Sequence, residues 1–109
     1  MPESATFDRI LELATRREVL ISDHAYEKAE KEGILITSII AALADAEVIE
    51  DYPNAWKGPS VLLLHSDVDG NAIHTVWGLA RGSTGPAALI TCYKPDPLLW
   101  SYDFRKRKP

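Results

Sequence analysis

The chain is poor in cysteine and has no long hydrophobic run. Its single cysteine, Cys92, has no second cysteine with which to form an internal disulfide, and this fits a reducing compartment such as the cytoplasm. No run approaches the roughly 20 apolar residues that span a bilayer, so we expect no membrane contact. The first ten residues include acids and lack an apolar stretch, so we expect no secretory signal.

Basic residues are scarce outside the C-terminus. The 109 residues carry 12 Lys/Arg and 16 Asp/Glu, a formal net charge of −4. Four of the 12 cations lie at residues 105–108, which leaves eight cations against 16 acids elsewhere. Because phosphate neutralisation drives nucleic-acid affinity, this balance argues against nonspecific nucleic-acid binding and directs attention to the basic tail.

The apolar spacing changes from helical to alternating near residue 47. Helical spacing predicts a first helix over about residues 4–17, a second capped by Ser22 or Asp23 that runs to about Glu32 and stops at Gly33, and a third from Thr37 or Ser38. Residues 19–21 are expected to be a short extended link. Alternating spacing predicts strands over residues 47–52, 60–66, 72–80 and 87–94, with a hairpin turn at Asp69-Gly70-Asn71.

This order predicts one α+β domain over residues 1–109. Two or three N-terminal helices would pack on one face of an antiparallel sheet of about four strands. The other face, with His74 and Val76, would be more exposed and would hold a binding surface unless a homodimer covers it. The expected core includes Ile40, Leu43, Leu63, Trp77 and Ile90.

His24 is the first candidate for a catalytic group, because it stands in the first turn of the second predicted helix. The helix dipole there favours a neutral imidazole, as a general base requires. The alternative is a structural role, in which His24 caps the helix or hydrogen-bonds a neighbouring loop.

Tyr93 and Lys94 end the last predicted strand, and consecutive strand residues point to opposite faces. Tyr93 could stack on a base or pack against a helix, and Lys94 could bind a phosphate or remain a solvated lysine. The tail residues Arg105, Lys106, Arg107 and Lys108 could bind phosphate, form a solvated terminus, or pair with acids of this chain. If His24 acts with the tail, the two share one surface.

No metal or cofactor is expected. His65 and His74 lie on neighbouring predicted strands, but zinc would also need His24 or Cys92 to converge on them, and no CxxC or HExxH spacing is present. Cys92 is expected to be a small buried hydrophobe.

Several segments resemble the domain-of-unknown-function 4258 family over residues 18–107, with residues 1–17 as an added helix. They are Ser22-Asp23-His24-Ala25, Glu32-Gly33-Ile34, the segment 48–53, and the segment 91–96 followed by Trp100 and residues 105–107. This chain departs from the family pattern at Lys31-Glu32-Gly33-Ile34, where the family usually has an arginine-bearing ERGI, and at Lys94, where a glutamate is frequent. The resemblance implies a RelE/ParE-like toxin fold and a toxin–antitoxin role with an antitoxin-like protein partner.

Two functions follow from these observations. The first is a toxin-like protein that acts on RNA as a metal-independent ribonuclease, with His24 as base or acid, Lys94 or Arg105 as electrostatic partner, and Tyr93, Lys106 and Arg107 holding the substrate. The second is a non-catalytic protein-interaction module that binds a partner through the open sheet face.

Overall fold

The computed structural model describes residues 3–109. Three helices, a short 3₁₀ turn and five strands follow one another along the chain. They are α1 (Ala5–Thr15), β1 (Val19–Ile21), α2 (Asp23–Glu32), α3 (Ile36–Ala41), the 3₁₀ turn Leu43–Asp45, β2 (Glu47–Tyr52), β3 (Ser60–Ser66), β4 (Ala72–Gly78) and β5 (Ala87–Tyr93).

The helix boundaries follow capping chemistry at α1 and α2. The hydroxyl of Ser4 accepts a hydrogen bond from the backbone N–H of Phe7, and Ser22 does the same for Ala25, which satisfies N–H groups that a helix start leaves free. Gly33 ends α2 in the left-handed conformation, at φ 71°.

The predicted start of α3 at Thr37 or Ser38 is wrong, because the helix begins at Ile36 without a side-chain cap. Ile34 and Ile39 are buried in the core, so their packing, rather than a capping hydroxyl, determines where α3 begins.

The sheet is mixed and has five strands in the order β1-β5-β4-β3-β2. The α+β class is confirmed, but the prediction of four antiparallel strands is wrong. The supposed link 19–21 is β1, which pairs in parallel with β5 from Val19↔Ala87 to Ile21↔Leu89. Three residues are too few to show an alternating pattern, so the sequence alone gave no signal for this edge strand.

The core lies between the helices and one face of the sheet. Leu43, Leu63 and Trp77 are fully buried, as predicted, whereas Ile40 is only half-buried. Ile90 was wrongly placed in the core, since 42% of it is exposed. The register of β5 shifts between the partners of Val76 and Trp77, and this bulge turns Ile90 away from the helices.

The second face of the sheet is only partly open. His74 lies on this face, as predicted, but it is fully buried, because residues 95–109 fold back over it. This C-terminal segment forms turns and a single bridge between Trp100 and Arg107. No helix in the part of the chain from residue 3 onward is both long enough and apolar enough to cross a bilayer.

Leu63→Ala is expected to lower the free energy of unfolding by about 2–5 kcal/mol, because it leaves a cavity at a fully buried site. Denaturant melts measure this loss. Leu98→Ala is the matched control, since Leu98 is exposed and its truncation should change stability by less than about 0.5 kcal/mol. Equal effects of the two substitutions would contradict the described core.

Candidate functional site

The C-terminal segment is fastened to the second sheet face at His74. The ring of Trp100 meets that of His74 edge-on, with centroids 4.4 Å apart and planes at 83°. His74 Nε2 donates to the carbonyl of Phe104 at 2.9 Å, and Nδ1 is 3.2 Å from the Tyr93 hydroxyl, which donates to it in this tautomer. Burial lowers the pKa of His74, so the imidazole is held in the neutral form that this network uses.

Two arginines of the tail pair with carboxylates of β2. Arg105 makes a two-point contact with Glu47, and Arg107 binds Glu50 through Nε at 2.7 Å and Nη2 at 3.0 Å. The hydrogen bond from Arg107 lowers the pKa of Glu50. The guanidinium of Arg107 also lies 4.7 Å from the centre of the Trp100 ring. Of the three alternatives for the tail, pairing with this chain's own acids is the one that the geometry shows for both arginines.

The structure does not bring His24 and Arg105 together. His24 is exposed, and its Nε2 lies 3.0 Å from Thr91 Oγ1 on β5, whereas Arg105 reaches Glu47 on β2. Strands β4 and β3 lie between β5 and β2, which separates the two contacts by about 14 Å across the sheet. Direct cooperation between the two side chains therefore has no geometric support.

Tyr93 and Lys94 lie on opposite sides of the sheet, as their alternation predicted. Tyr93 is half-buried against His74, and burial raises the pKa of its hydroxyl, so packing is the role that the contacts show. Lys94 is exposed on the helix side, where its backbone N–H donates to Glu32 Oε1.

The remaining titratable side chains do not converge. His65 faces the helices and His74 faces the C-terminal segment, because their strand partners are Ile73 and Leu64. Within residues 3–109 no group of three or more His, Cys, Asp or Glu side chains could hold a metal ion. Cys92 is buried under α2, and burial raises the pKa of its thiol, so it lacks the thiolate character of a nucleophile.

The uncovered part of the second face forms a groove of about 560 Å³. We call it the open shelf; it is lined by strand residues Ser60, Gly78, Ala88 and Ile90 and by loop residues 55–59 and 79–80. A Cβ at Gly78 would stand 2.9 Å from the end of the Ile90 side chain, so a larger residue here would require Ile90 to shift. Small residues thus leave room for a flat ligand against the backbone of β4.

Trp56 stands at the rim of the open shelf with 80% of its surface exposed. The guanidinium of Arg81 lies 5.1 Å from the centre of its ring, within the range of a cation–π contact. The backbone N–H of Arg81 donates to the carbonyl of Lys57, which ties the two loops together. An adjoining groove of about 310 Å³ is lined by both Trp56 and Arg81.

Lys57 lines the open shelf, and Arg81 lines the adjoining groove. No carboxylate lines the open shelf or the adjoining groove, and neither Lys57 nor Arg81 has an ion-pair partner among residues 3–109. This site was not predicted from the sequence, in which both loops simply lie between predicted strands. The sequence feature that could have indicated the site is a tryptophan and a lysine in a Pro/Gly loop, because a tryptophan in a surface loop is often exposed rather than buried in the core.

His24 borders the open shelf on its β5 side. It contacts Thr91, which follows the shelf residue Ile90, and the hydroxyl of Ser22 donates to the carbonyl of Ile90. The exposed imidazole of His24 thus lies at the β5 edge of this face, while Trp56, Lys57 and Arg81 lie in the loops at the end of the shelf.

His65 should make the fold sensitive to acid. Burial, and then the charge of His74, lowers its pKa from 6.5 to about 4, so between these values the unfolded chain binds more protons. The contribution of His65 is complete above about pH 6.5 and falls with pH toward 4, by up to about 3 kcal/mol. Burial lowers the pKa of His74 as well, which acts in the same direction.

Urea melts at pH 7 and pH 4.5 measure this effect. His65→Gln should reduce the pH dependence of the free energy of unfolding, whereas the control His24→Gln, at an exposed histidine, should leave it as in the wild type. The interpretation is wrong if His65→Gln loses as much stability on acidification as the wild type does.

A comparison with known protein families gives a match. The family model described as the domain of unknown function 4258 covers residues 21–94, about two thirds of the chain. No curated protein and no solved structure matches the chain significantly. The matched range contains His24 and the strands that form the open shelf, and it ends before the C-terminal segment. The chain belongs to the domain-of-unknown-function 4258 family.

Proposed function

We propose that this protein is a toxin-like protein of a toxin–antitoxin type system, with a RelE/ParE-like fold, that binds single-stranded RNA on the open shelf. The observation that carries the proposal is the exposed ring of Trp56, stacked with Arg81 at the rim of a groove without carboxylates. Three helices on one face of a largely antiparallel sheet support the fold relationship.

Proteins usually bind single-stranded nucleic acid by stacking bases on aromatic side chains and by contacting the phosphates with cations. A base stacked on an aromatic side chain contributes about 1–3 kcal/mol, and nearby cations track the backbone phosphates. Trp56 supplies the stacking surface, and Lys57 and Arg81 supply two charges that no ion pair within the described residues neutralises. Arg105 and Arg107 are paired with Glu47 and Glu50, so we place the phosphate contacts at the shelf loops.

The same arrangement offers a route to metal-independent cleavage. In such a reaction a base removes the proton of the 2′-hydroxyl, and the 2′-oxygen attacks the adjacent phosphorus. The P–O5′ bond then breaks, which leaves a 2′,3′-cyclic phosphate, and an acid protonates the leaving 5′-oxygen while cations stabilise the added charge. His24 is the exposed imidazole beside the shelf, and we propose it as the proton-transfer group. Lys94 lies on the other side of the sheet, so we propose Lys57 and Arg81 in its place.

The binding test uses a labelled ten-nucleotide oligouridine and fluorescence anisotropy. Trp56→Ala should weaken binding about tenfold or more, since one stacked base is lost. Tyr102→Ala is the matched control, because Tyr102 is an exposed aromatic residue of the C-terminal segment, and it should bind as the wild type does. Equal loss in the two variants would refute the shelf as the RNA site.

Substitutions of charged residues provide a second test of the same site. Lys57→Ala and Arg81→Ala should each weaken binding and lower the dependence of affinity on salt by roughly one phosphate contact. Lys108→Ala, at an exposed cation of the tail, is the control and should have little effect. A loss confined to Lys108→Ala would instead place the RNA on the tail.

The catalytic test follows the cleavage of a labelled RNA and the growth of cells that express the protein. His24→Gln can keep a hydrogen bond to Thr91 but cannot transfer a proton, so it should slow cleavage about 10²-fold or more and relieve growth arrest. His65→Gln is the control at a buried histidine away from the shelf. Wild-type protein that neither cleaves RNA nor arrests growth would remove the toxin proposal.

A protein-interaction module is the second candidate, and the half-exposed Ile90 on the shelf floor favours it. Binding of an antitoxin-like partner or of a second copy of this chain would bury the Ile90 side chain. Binding of RNA would depend instead on the stacking of bases on Trp56. Ile90→Thr should then abolish a complex, or shift a dimer to monomer in light scattering. No change in assembly would argue against this candidate.

A further inference from the structure

The two outer strands of the sheet differ in how they are protected against pairing with another chain. At one edge, β2 carries several acids, and its pairing with β3 is interrupted by a bulge between Val48 and Glu50. Charged side chains and bulges are the features that keep an edge strand from pairing further. At the opposite edge, β1 (Val19–Ile21) contains only apolar residues and pairs with β5 without a bulge. The edge at β1 is therefore the one that can accept another strand.

The hydrogen bonds of β1 show which of its backbone groups are free. The carbonyl of Glu18 and the N–H of Ser22 both hydrogen-bond β5, at 3.0 and 3.1 Å. Backbone groups of successive strand residues point alternately to the two sides, so Leu20 also faces β5, and the N–H and C=O groups of Val19 and Ile21 point outward. No backbone hydrogen bond among residues 3–109 involves these outward groups.

Leu20 gives this edge an apolar side chain as well. It is 56% exposed, and its partner in the register, Ala88, lines the open shelf. Leu20 therefore lies on the shelf side of the sheet, whereas Val19 and Ile21 pack against the core on the helix side. The edge thus presents unpaired backbone groups together with a leucine that a second strand would cover.

A second copy of β1 satisfies these groups when it runs antiparallel, with the two-fold axis at Leu20. Val19 of each copy then lies opposite Ile21 of the other, and each such pair exchanges two hydrogen bonds. The two Leu20 residues form the pair between them, in which the Cβ atoms lie about 4.5–5.5 Å apart. An axis at Val19 or at Ile21 would pair only one of these residues in each copy, so the register at Leu20 is favoured.

The same register brings opposite charges together at both ends of the pair. Arg17 precedes Leu20 by three residues and Asp23 follows it by three, so each Arg17 stands opposite Asp23 of the other copy. Both side chains are exposed, and neither has an ion-pair partner in the part of the chain that the structure describes. Because the edge is complementary to itself in backbone groups, apolar contact and charge, a second copy fits it better than an unrelated strand does.

We propose that two copies of this chain pair through β1 in this register and form one continuous sheet. The two-fold axis is perpendicular to the sheet, so both open shelves lie on the same face, on either side of the two Leu20 side chains. The pairing involves few residues, and we expect a dissociation constant on the order of 10–100 µM. This contact does not depend on RNA binding, and it leaves Ile90 uncovered.

Sedimentation velocity of the wild type between about 1 µM and 1 mM measures the association. Leu20→Lys should weaken it at least tenfold, because two like charges would lie opposite each other at the axis. Leu98→Lys, at another exposed leucine, is the matched control and should associate as the wild type does. A wild type that stays monomeric over this range would overturn the proposal. So would a dimer that Ile90→Thr abolishes and Leu20→Lys leaves intact, since it would form through the shelf.

A charge exchange tests the register. Arg17→Glu and Asp23→Lys should each weaken the dimer about fivefold, because each places like charges together, and the double variant should restore it to within about twofold. Asp8→Lys is the control, since Asp8 is an exposed acid in the first turn of another helix. A double variant weaker than both single variants would overturn the register. If Asp23→Lys does not fold, the comparison of Leu20→Lys with Leu98→Lys decides the matter.

Discussion

The burial of His74 beneath the C-terminal segment is the contact on which the shape of the functional face depends. Trp100 covers the imidazole edge-on, and the carbonyl of Phe104 and the hydroxyl of Tyr93 occupy its two nitrogens. A buried polar group stabilises a packed arrangement only when all its hydrogen bonds are made, and here they are. The segment therefore has one favoured position, and it divides the face into a covered part and the open shelf.

The position of the C-terminal segment over His74 also determines which cations remain without an acidic partner. With the segment in place, Arg105 and Arg107 reach Glu47 and Glu50 on β2. Exposed ion pairs add little stability, so these pairs matter mainly because they occupy cations that would otherwise attract phosphate. In the sequence the tail is the densest basic cluster, but in the folded chain the cations beside an acid-free groove are Lys57 and Arg81.

The local elements could be predicted from the sequence because their signals are local. Capping serines, Gly33 and alternating strand residues located α2, β2 and β3 to the residue. β1 was missed because a parallel edge strand is defined by its distant partner. Ile90 was misplaced because a bulge reverses the alternation of β5. The burial of His74 could not be predicted, because it depends on a hydrogen bond to Phe104, 30 residues further along the chain. For the site, His24 could be singled out from the sequence, whereas the clustering of Trp56 with Arg81 depends on tertiary contacts.

The two strand histidines show how one sheet can hold two independent surfaces. They stand on adjacent strands but face opposite sides, so the backbone of the sheet separates their partners. His74 has both nitrogens paired and serves the packing of the C-terminal segment. His65 has one nitrogen paired with Thr75, and it lines a cavity of about 200 Å³ on the helix side. Because the open shelf and this cavity share no lining residue, changes at one should add to changes at the other without coupling.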